Sequence, residues 1–400
     1  MPNYWNQLQY VLIFTSKMSQ RTEIFLPTEI IIRIVTFVAA DGSQLCLHAC
    51  CLVSRQWYSA SVALLYAEPD VQHAFEKFTA TVCPPIATSR SKTDPGLGNL
   101  VRILDMSPLV HHSTNSVTAR LLGRVKENLE VFIAPMISFS VNSFASLSKC
   151  YNLSELNLSL VYPSLPFVRL KKAIRNLNKL EFLSLPRSTA ILVERSACVQ
   201  WPPRLRHIRF SGRFPINSME SFSWPEQLSS LTLVGCIDLS VNAISTLICS
   251  RHLGRQLRYL GISYDNKFLQ PESINAVPRF LPNLRSLSVP GDLLQDDFFN
   301  NNGTPLSLEY LAIERATTTN MSPLGFSERS LISALDYGLS NLRSVFFDPV
   351  YSTPSYSVIF VSINDALKAQ WKRRSPGEFA SQESKIGTFF TIQSRFMRNE

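Results

Sequence analysis

Apolar residues fall along this chain in a recurring triplet, Leu-x-x-Leu-x-Leu with conservative swaps. It stands at Leu153/Leu156/Leu158, Leu180/Leu183/Leu185, Leu205/Ile208/Phe210 and Leu228/Leu231/Leu233. It returns at Leu257/Leu260/Ile262, Leu284/Leu287/Val289, Leu308/Leu311/Ile313 and Leu342/Val345/Phe347. Upstream, Val101/Leu104/Met106 fits and Leu129/Phe132/Ala134 fits poorly. From 101 to 342 the mean period is about 27 residues, the size of a small stacking unit. Within a triplet the apolar and intervening positions alternate as on a strand. Between triplets the period becomes helical, as in Leu170, Ala173, Ile174 and Leu177. Val241, Ile244, Leu247 and Ile248 form a second stripe, and Leu331, Ile332, Leu335 and Leu339 another. A further stripe, Ile274, Val277, Phe280 and Leu281, is interrupted by Pro278. One strand-and-helix unit cannot bury its own apolar face, so the units stack. The expected fold is therefore α/β: a small N-terminal three-helix module, then a curved solenoid over about 100–350. An ordinary α/β sheet with Leu-rich strands is the alternative, and it does not predict the period.

The N-terminal pattern is different. Ile30, Ile31, Ile34, Val35 and Val38 lie on one stripe of a helix that Pro27 opens and Asp41-Gly42 breaks. Glu29 sits where the helix dipole favours a negative charge. Two more apolar helical segments follow, Leu45 to Val53 and Ser54 to Tyr66. A unit of about 40 residues is marginal alone and needs another surface for its surplus apolar face. The pattern resembles the F-box. That family begins Leu-Pro-x-Glu, here Leu26, Pro27 and Glu29, with apolar residues at helical steps, here Ile30, Ile34 and Val38. It then carries Val-Ser-Arg-x-Trp, here Val53, Ser54, Arg55 and Trp57, and a later aromatic, here Tyr66. A three-helix cap on the array is the structural alternative.

The triplets resemble an irregular set of leucine-rich repeats. Many such families place Asn or Cys shortly after the last Leu to bond the turn backbone; here only Cys236 matches. Together with Trp201-Pro-Pro-Arg-Leu205 and Leu281-Pro-Asn-Leu-Arg285, the chain looks like the fungal F-box leucine-rich-repeat proteins. The expected division is a 1–24 extension, a 25–68 F-box, a 69–99 linker, a 100–350 solenoid and a partly disordered 351–400 segment. The run Lys372-Arg373-Arg374 reads as a solvated tail.

Composition adds limits. Charged residues are 17% of 400 and the net charge is +9, a weak preference for acidic partners. Only 14 residues are Gly, which argues against glycine-rich phosphate loops. Eight Cys at irregular spacings, with no Cys-x-x-Cys, read as buried free thiols in a reducing compartment, cytoplasmic or nuclear. No apolar run reaches the ~18 residues of a membrane span. No Walker, His-Glu-x-x-His or Gly-x-Ser-x-Gly sequence occurs, and His111-His112 reads as a surface loop. Neither a catalytic residue, a cofactor nor a metal site is expected.

What the chemistry lacks, the sheet face supplies. With the Leu positions inward, the residues between them point outward. Glu155, Phe182, His207, Arg209, Tyr259, Tyr310 and Phe346 then form a row whose aromatics and Arg suit protein recognition. Arg204, Arg206, Arg209 and Arg213 form a basic cluster, read either as an anion site or as a solvated repeat edge. The F-box resemblance implies docking of Leu26, Pro27, Glu29, Ile30, Ile34, Val38, Val53 and Trp57 on a Skp-type adaptor, and through it a cullin. It implies a target protein held by the solenoid and ubiquitin transferred by a separate enzyme. A scaffold without ligase role stays open. Nucleic acid is disfavoured because aromatic and basic stripes do not alternate.

Overall fold

The computed structural model describes residues 26–84, 96–109, 113–190, 199–213, 222–300, 306–317 and 324–390. The chain divides into two compact units, Met1–Tyr66 and Ala67–Glu400. The expected extension at 1–24, residues 85–95 of the expected linker and His111-His112 lie outside the described residues.

In the first unit three helices form: α1 (Thr28–Ala40), α2 (Gln44–Cys51) and α3 (Arg55–Ala67), which runs one residue past the unit boundary. Gly42, at φ +71°, adopts the left-handed turn that ends α1, a conformation open to glycine without a Cβ penalty. The Ser43 hydroxyl accepts from the Cys46 amide at 3.3 Å and caps α2. Gln56 donates to Leu26 O and Thr28 Oγ1, tying the start of α3 to the start of α1.

The second unit opens with α4 (Val71–Val82), within the segment expected as a linker. Its buried Val71, Phe75, Phe78 and Val82 sit at helical spacing, so an apolar stripe rather than a loop crosses most of that segment. Asp70 caps it by accepting from the His73 amide. The sheet then runs through ten strands: β1 (Ile103–Asp105), β2 (Val131–Ile133), β3 (Glu155–Asn157), β4 (Phe182–Ser184), β5 (His207–Phe210), β6 (Ser230–Leu233), β7 (Tyr259–Ile262), β8 (Ser286–Pro290), β9 (Tyr310–Glu314) and β10 (Ser344–Phe347). An eleventh, β11 (Gly387–Phe390), lies beyond the last triplet. All are parallel and follow one another in chain order. Each triplet thus supplies one strand. All of its apolar positions are at most 2% exposed, including the poorly fitting Leu129, Phe132 and Ala134. Against this inward row lie the buried sides of the connecting helices, among them α5 (Phe167–Ile174), α6 (Val241–Ile248) and α7 (Glu328–Tyr337).

The C-terminal segment is ordered well past 351. Helix α8 (Pro354–Arg374) buries Phe360, Ile363, Leu367, Gln370 and Trp371, and its Trp371 indole donates to Leu342 O at 2.7 Å. Lys372, Arg373 and Arg374 are therefore not a tail. They form the last turn of α8, where the helix dipole favours positive charge, and Arg373 lies 3.5 Å from Asp336.

Candidate interaction surfaces

The first surface is the outside of the three-helix unit. Its core is Ile31, Val35 and Leu47, with Val38, Ala39, Trp57, Ala60, Leu64 and Leu65 packed against them. Of the residues assigned to adaptor binding, Leu26, Pro27, Glu29, Ile30, Ile34 and Val53 are exposed. Val38 and Trp57 are half-buried and turn toward the core. Their role is to hold α3 against α1. Three further apolar side chains stand in water: Phe37 at 74%, Leu45 at 85% and Leu52 at 74% exposed. The sequence signal was present, since Phe37 lies one turn beyond Ile34 on the side of α1 that Ile30 and Ile34 share.

The cysteines divide too. Cys83, Cys150 and Cys236 are buried as expected, and burial pushes the last two thiols up to about 12. Cys46 and Cys249 are exposed instead. Cys46 belongs to a helix in a unit too small to enclose every apolar side chain.

The second surface is the sheet face opposite the leucine row. Strand register puts Glu155, Phe182, His207, Tyr259 and Tyr310 on one line across β3 to β9. Arg209 and Phe346 lie on the neighbouring line, two residues along each strand. So the candidate target residues share two adjacent rows. Their exposure differs. Arg209 is exposed; Glu155, Phe182, His207, Tyr310 and Phe346 are half-buried. Tyr259 is buried at 9%, which corrects its assignment to the outer surface. The cause is its neighbour two residues on. Gly261 has no side chain, and the Tyr259 ring lies down over it, so a Cβ at 261 would meet the phenol oxygen at 2.9 Å. Burial, and secondarily Glu314, pushes the Tyr259 hydroxyl up to about 12. Glu314 is 5% exposed and accepts from Ser288 Oγ at 2.7 Å.

Phe182 and His207 form a stacked pair, ring centres 4.1 Å apart and planes 5° from parallel. Burial lowers the His207 pKa, Arg206 adds to that, and Glu181 opposes it. Phe346 stacks in the same way on Phe389 of β11 at 5.4 Å. Of the basic cluster, Arg204, Arg206 and Arg209 are exposed, while Arg213 pairs with Asp238 at 3.2 Å. The Cys236 amide donates to Asn266 Oδ1 at 2.8 Å and its thiol to Phe210 O, at the end of β5, at 3.6 Å.

Among the described residues no group of three or more His, Cys, Asp or Glu converges as a metal site would. No described helix is long and apolar enough to cross a membrane.

No protein-family model matches the chain. It is 31% identical over 242 residues to F-box protein YDR306C of Saccharomyces cerevisiae, a match that covers 60% of this chain and 48% of that protein. The chain thus spans about half the length of that curated relative. It is 24% identical over 251 residues to Protein pof5 of Schizosaccharomyces pombe, covering 62% of this chain and 68% of that protein. Among solved structures, a chain of the Rad7 and Elc1 complex in yeast aligns over 94% of this chain and 97% of its own, with TM-score 0.46 and 15% identity.

Proposed function

We propose that this protein is a substrate-recognition adaptor of a Skp–cullin–F-box ubiquitin ligase. The observation that carries the reading is the outside of the three-helix unit. A module of about 40 residues that leaves Ile30, Phe37, Leu45, Leu52 and Val53 between 44% and 85% exposed has the surplus apolar face of a docking element. Similarity to a yeast protein named as an F-box protein supports the same reading. In it, a Skp-type adaptor covers that face and brings a cullin. The sheet face holds the target protein, and a separate conjugating enzyme transfers ubiquitin. The chain contributes position rather than covalent chemistry: tethering raises the local concentration of target lysines at that enzyme.

The test is co-expression of the full chain with a Skp-type adaptor and a cullin, followed by purification through the chain. Stoichiometric recovery of both is expected. Recovery of adaptor without cullin would replace the ligase reading by a scaffold. A folded chain that recovers neither would reduce the three helices to a cap.

A further inference from the structure

One row of the sheet lies just before the two described above. The backbone amides of Arg206, Ser229, Arg258, Arg285 and Glu309 each bond the carbonyl of the preceding row member, beginning at Glu181. This row is the rim where the chain enters β5 to β9. Arg206, Arg258 and Arg285 are exposed on it, with Arg204 exposed two residues before Arg206. Arg258 Nη1 donates to the backbone carbonyl of Asn283 at 3.0 Å, and no ion pair joins Arg258 to an acid among the described residues. Arg285 lies 3.8 Å from Glu309, but that carboxylate also faces Arg343 at 3.7 Å, so two guanidinium groups share one negative charge. Glu226 is the one acid among the described residues of the turns that lead into β5, β6, β7 and β8. The balance is positive; Glu181 bounds it at one end, and at the other Glu309 is followed in the row by Arg343, whose amide donates to Glu309 O at 2.8 Å.

We propose that this rim is a docking site for a short carboxylate-rich segment of a partner protein. The inference rests on the reading of the sheet as the target-holding surface and names the chemistry of what is held. Three arguments select the occupant. From Arg206 on β5 to Arg285 on β8 is three interstrand steps, about 14 Å, which an extended peptide of about four residues spans. The guanidinium groups are spread along the rim from separate strands, which suits a run of single carboxylates better than one phosphoryl group needing converging donors. Glu181 repels a longer polyanion that overruns the patch at the β4 end, and Glu226 interrupts the positive run, which disfavours a nucleic-acid backbone.

The test uses the purified full chain and a fluorescein-labelled decapeptide with four central glutamates, read by anisotropy. The comparison probes are the same peptide with four glutamines, one with a single phosphoserine among glutamines, and a ten-nucleotide single-stranded DNA. The glutamate peptide is expected to bind about tenfold more tightly than the glutamine peptide and to weaken with salt. Arg206→Glu/Arg258→Glu should abolish the preference, and the milder Arg206→Gln/Arg258→Gln should reduce it several-fold. Arg169→Glu/Arg329→Glu, which changes net charge equally at exposed arginines of the helices α5 and α7, should preserve it. Equal binding of the glutamine peptide, an unaffected rim variant, or tighter binding of the phosphoserine peptide or the DNA would each overturn the proposal. Adaptor recovery is measured separately on the same variants. A parent chain that recovers the adaptor but shows no glutamate preference refutes the rim alone. Failed adaptor recovery with an intact preference refutes the ligase reading alone.

Discussion

Val53→Asp separates docking from folding in the three-helix unit. Burying a valine side chain completely is worth about 2 kcal/mol. Val53 is already 63% exposed, so covering the rest of it on a partner gains about 1 kcal/mol. A carboxylate in its place loses that gain and adds a desolvation penalty of about 2 kcal/mol or more once covered. The expected loss is about 3 kcal/mol, or roughly a hundredfold in affinity for a Skp-type adaptor. The free chain should barely change, because the new charge faces water. Ile31→Ala is the contrast. At 1% exposure Ile31 belongs to the core, and its truncation should cost about 2–5 kcal/mol, enough to unfold so small a module. Calorimetric titration with the adaptor reads the first effect, and amide hydrogen exchange over residues 28–67 reads the second. Val53→Asp binding like the parent chain would refute the docking assignment. Loss of amide protection in Val53→Asp equal to that in Ile31→Ala would refute the separation of surface from core.

Lys171 is 1% exposed, with its ammonium 4.5 Å above the Trp201 ring, and burial lowers its pKa from 10.5 to about 8. The unfolded chain binds that proton more tightly, so stability should rise between about pH 8 and 10.5 by up to roughly 3 kcal/mol; denaturant unfolding of the parent and Lys171→Met should converge over that window if this is right. Asn266 is fully buried, donates to Leu233 O and Ser263 O and accepts from the Cys236 amide. Asn266→Ala leaves these groups unpaired and should cost about 3 kcal/mol by urea unfolding, a value under 1 kcal/mol counting against the network. Phe182→Ala removes the ring that covers His207, so the imidazole pKa should climb toward its ordinary 6.5 in an NMR titration; an unmoved value would show that the stack does not set the burial.

The fold was legible wherever one local period sufficed. The triplets name the strands because a parallel strand covered by helices needs apolar side chains at fixed inward positions. Even Leu129, Phe132 and Ala134, whose small third member weakens the pattern, occupy the same fully buried positions. Helix α4 was hidden in a segment whose later part is rich in Ser, Thr and Pro. Its stripe of Val71, Phe75, Phe78 and Val82 is visible only when read apart from that loop. Strand β11 carries no triplet at all. Gly387 and Thr388 fall in register with Ser344 and Val345, so the eleventh position is defined by pairing with β10 rather than by its own composition. Alternation likewise assigned sides to the face residues but not their exposure, which depends on neighbours on the same strand and the next. Tyr259 is hidden because residue 261 is Gly, and Trp57 turns inward because Ile31, Val35 and Leu47 leave a core for it to close.

That difference in exposure divides the sheet face into two kinds of ground. On β6 to β8 the two outward rows are Ser230, Thr232, Tyr259, Gly261, Ser286 and Ser288, all buried. The small side chains beside Tyr259 make a low floor there, and its Ser288 hydroxyl already donates to Glu314. On β3 to β5 the same rows carry Glu155, Phe182, His207 and Arg209, larger and more accessible. A partner gains little from a floor already buried, because little apolar area is left there to cover. It gains more from the stacked Phe182–His207 pair, which presents a rigid aromatic surface with few rotamers left to freeze. The exposed arginines of the rim from β5 to β8 border the floor without depending on it. A partner of this face would therefore gain most where the aromatic step on β4 and β5 meets that rim. At the start of β5 the consecutive Arg206 and His207 bring charge and apolar area side by side.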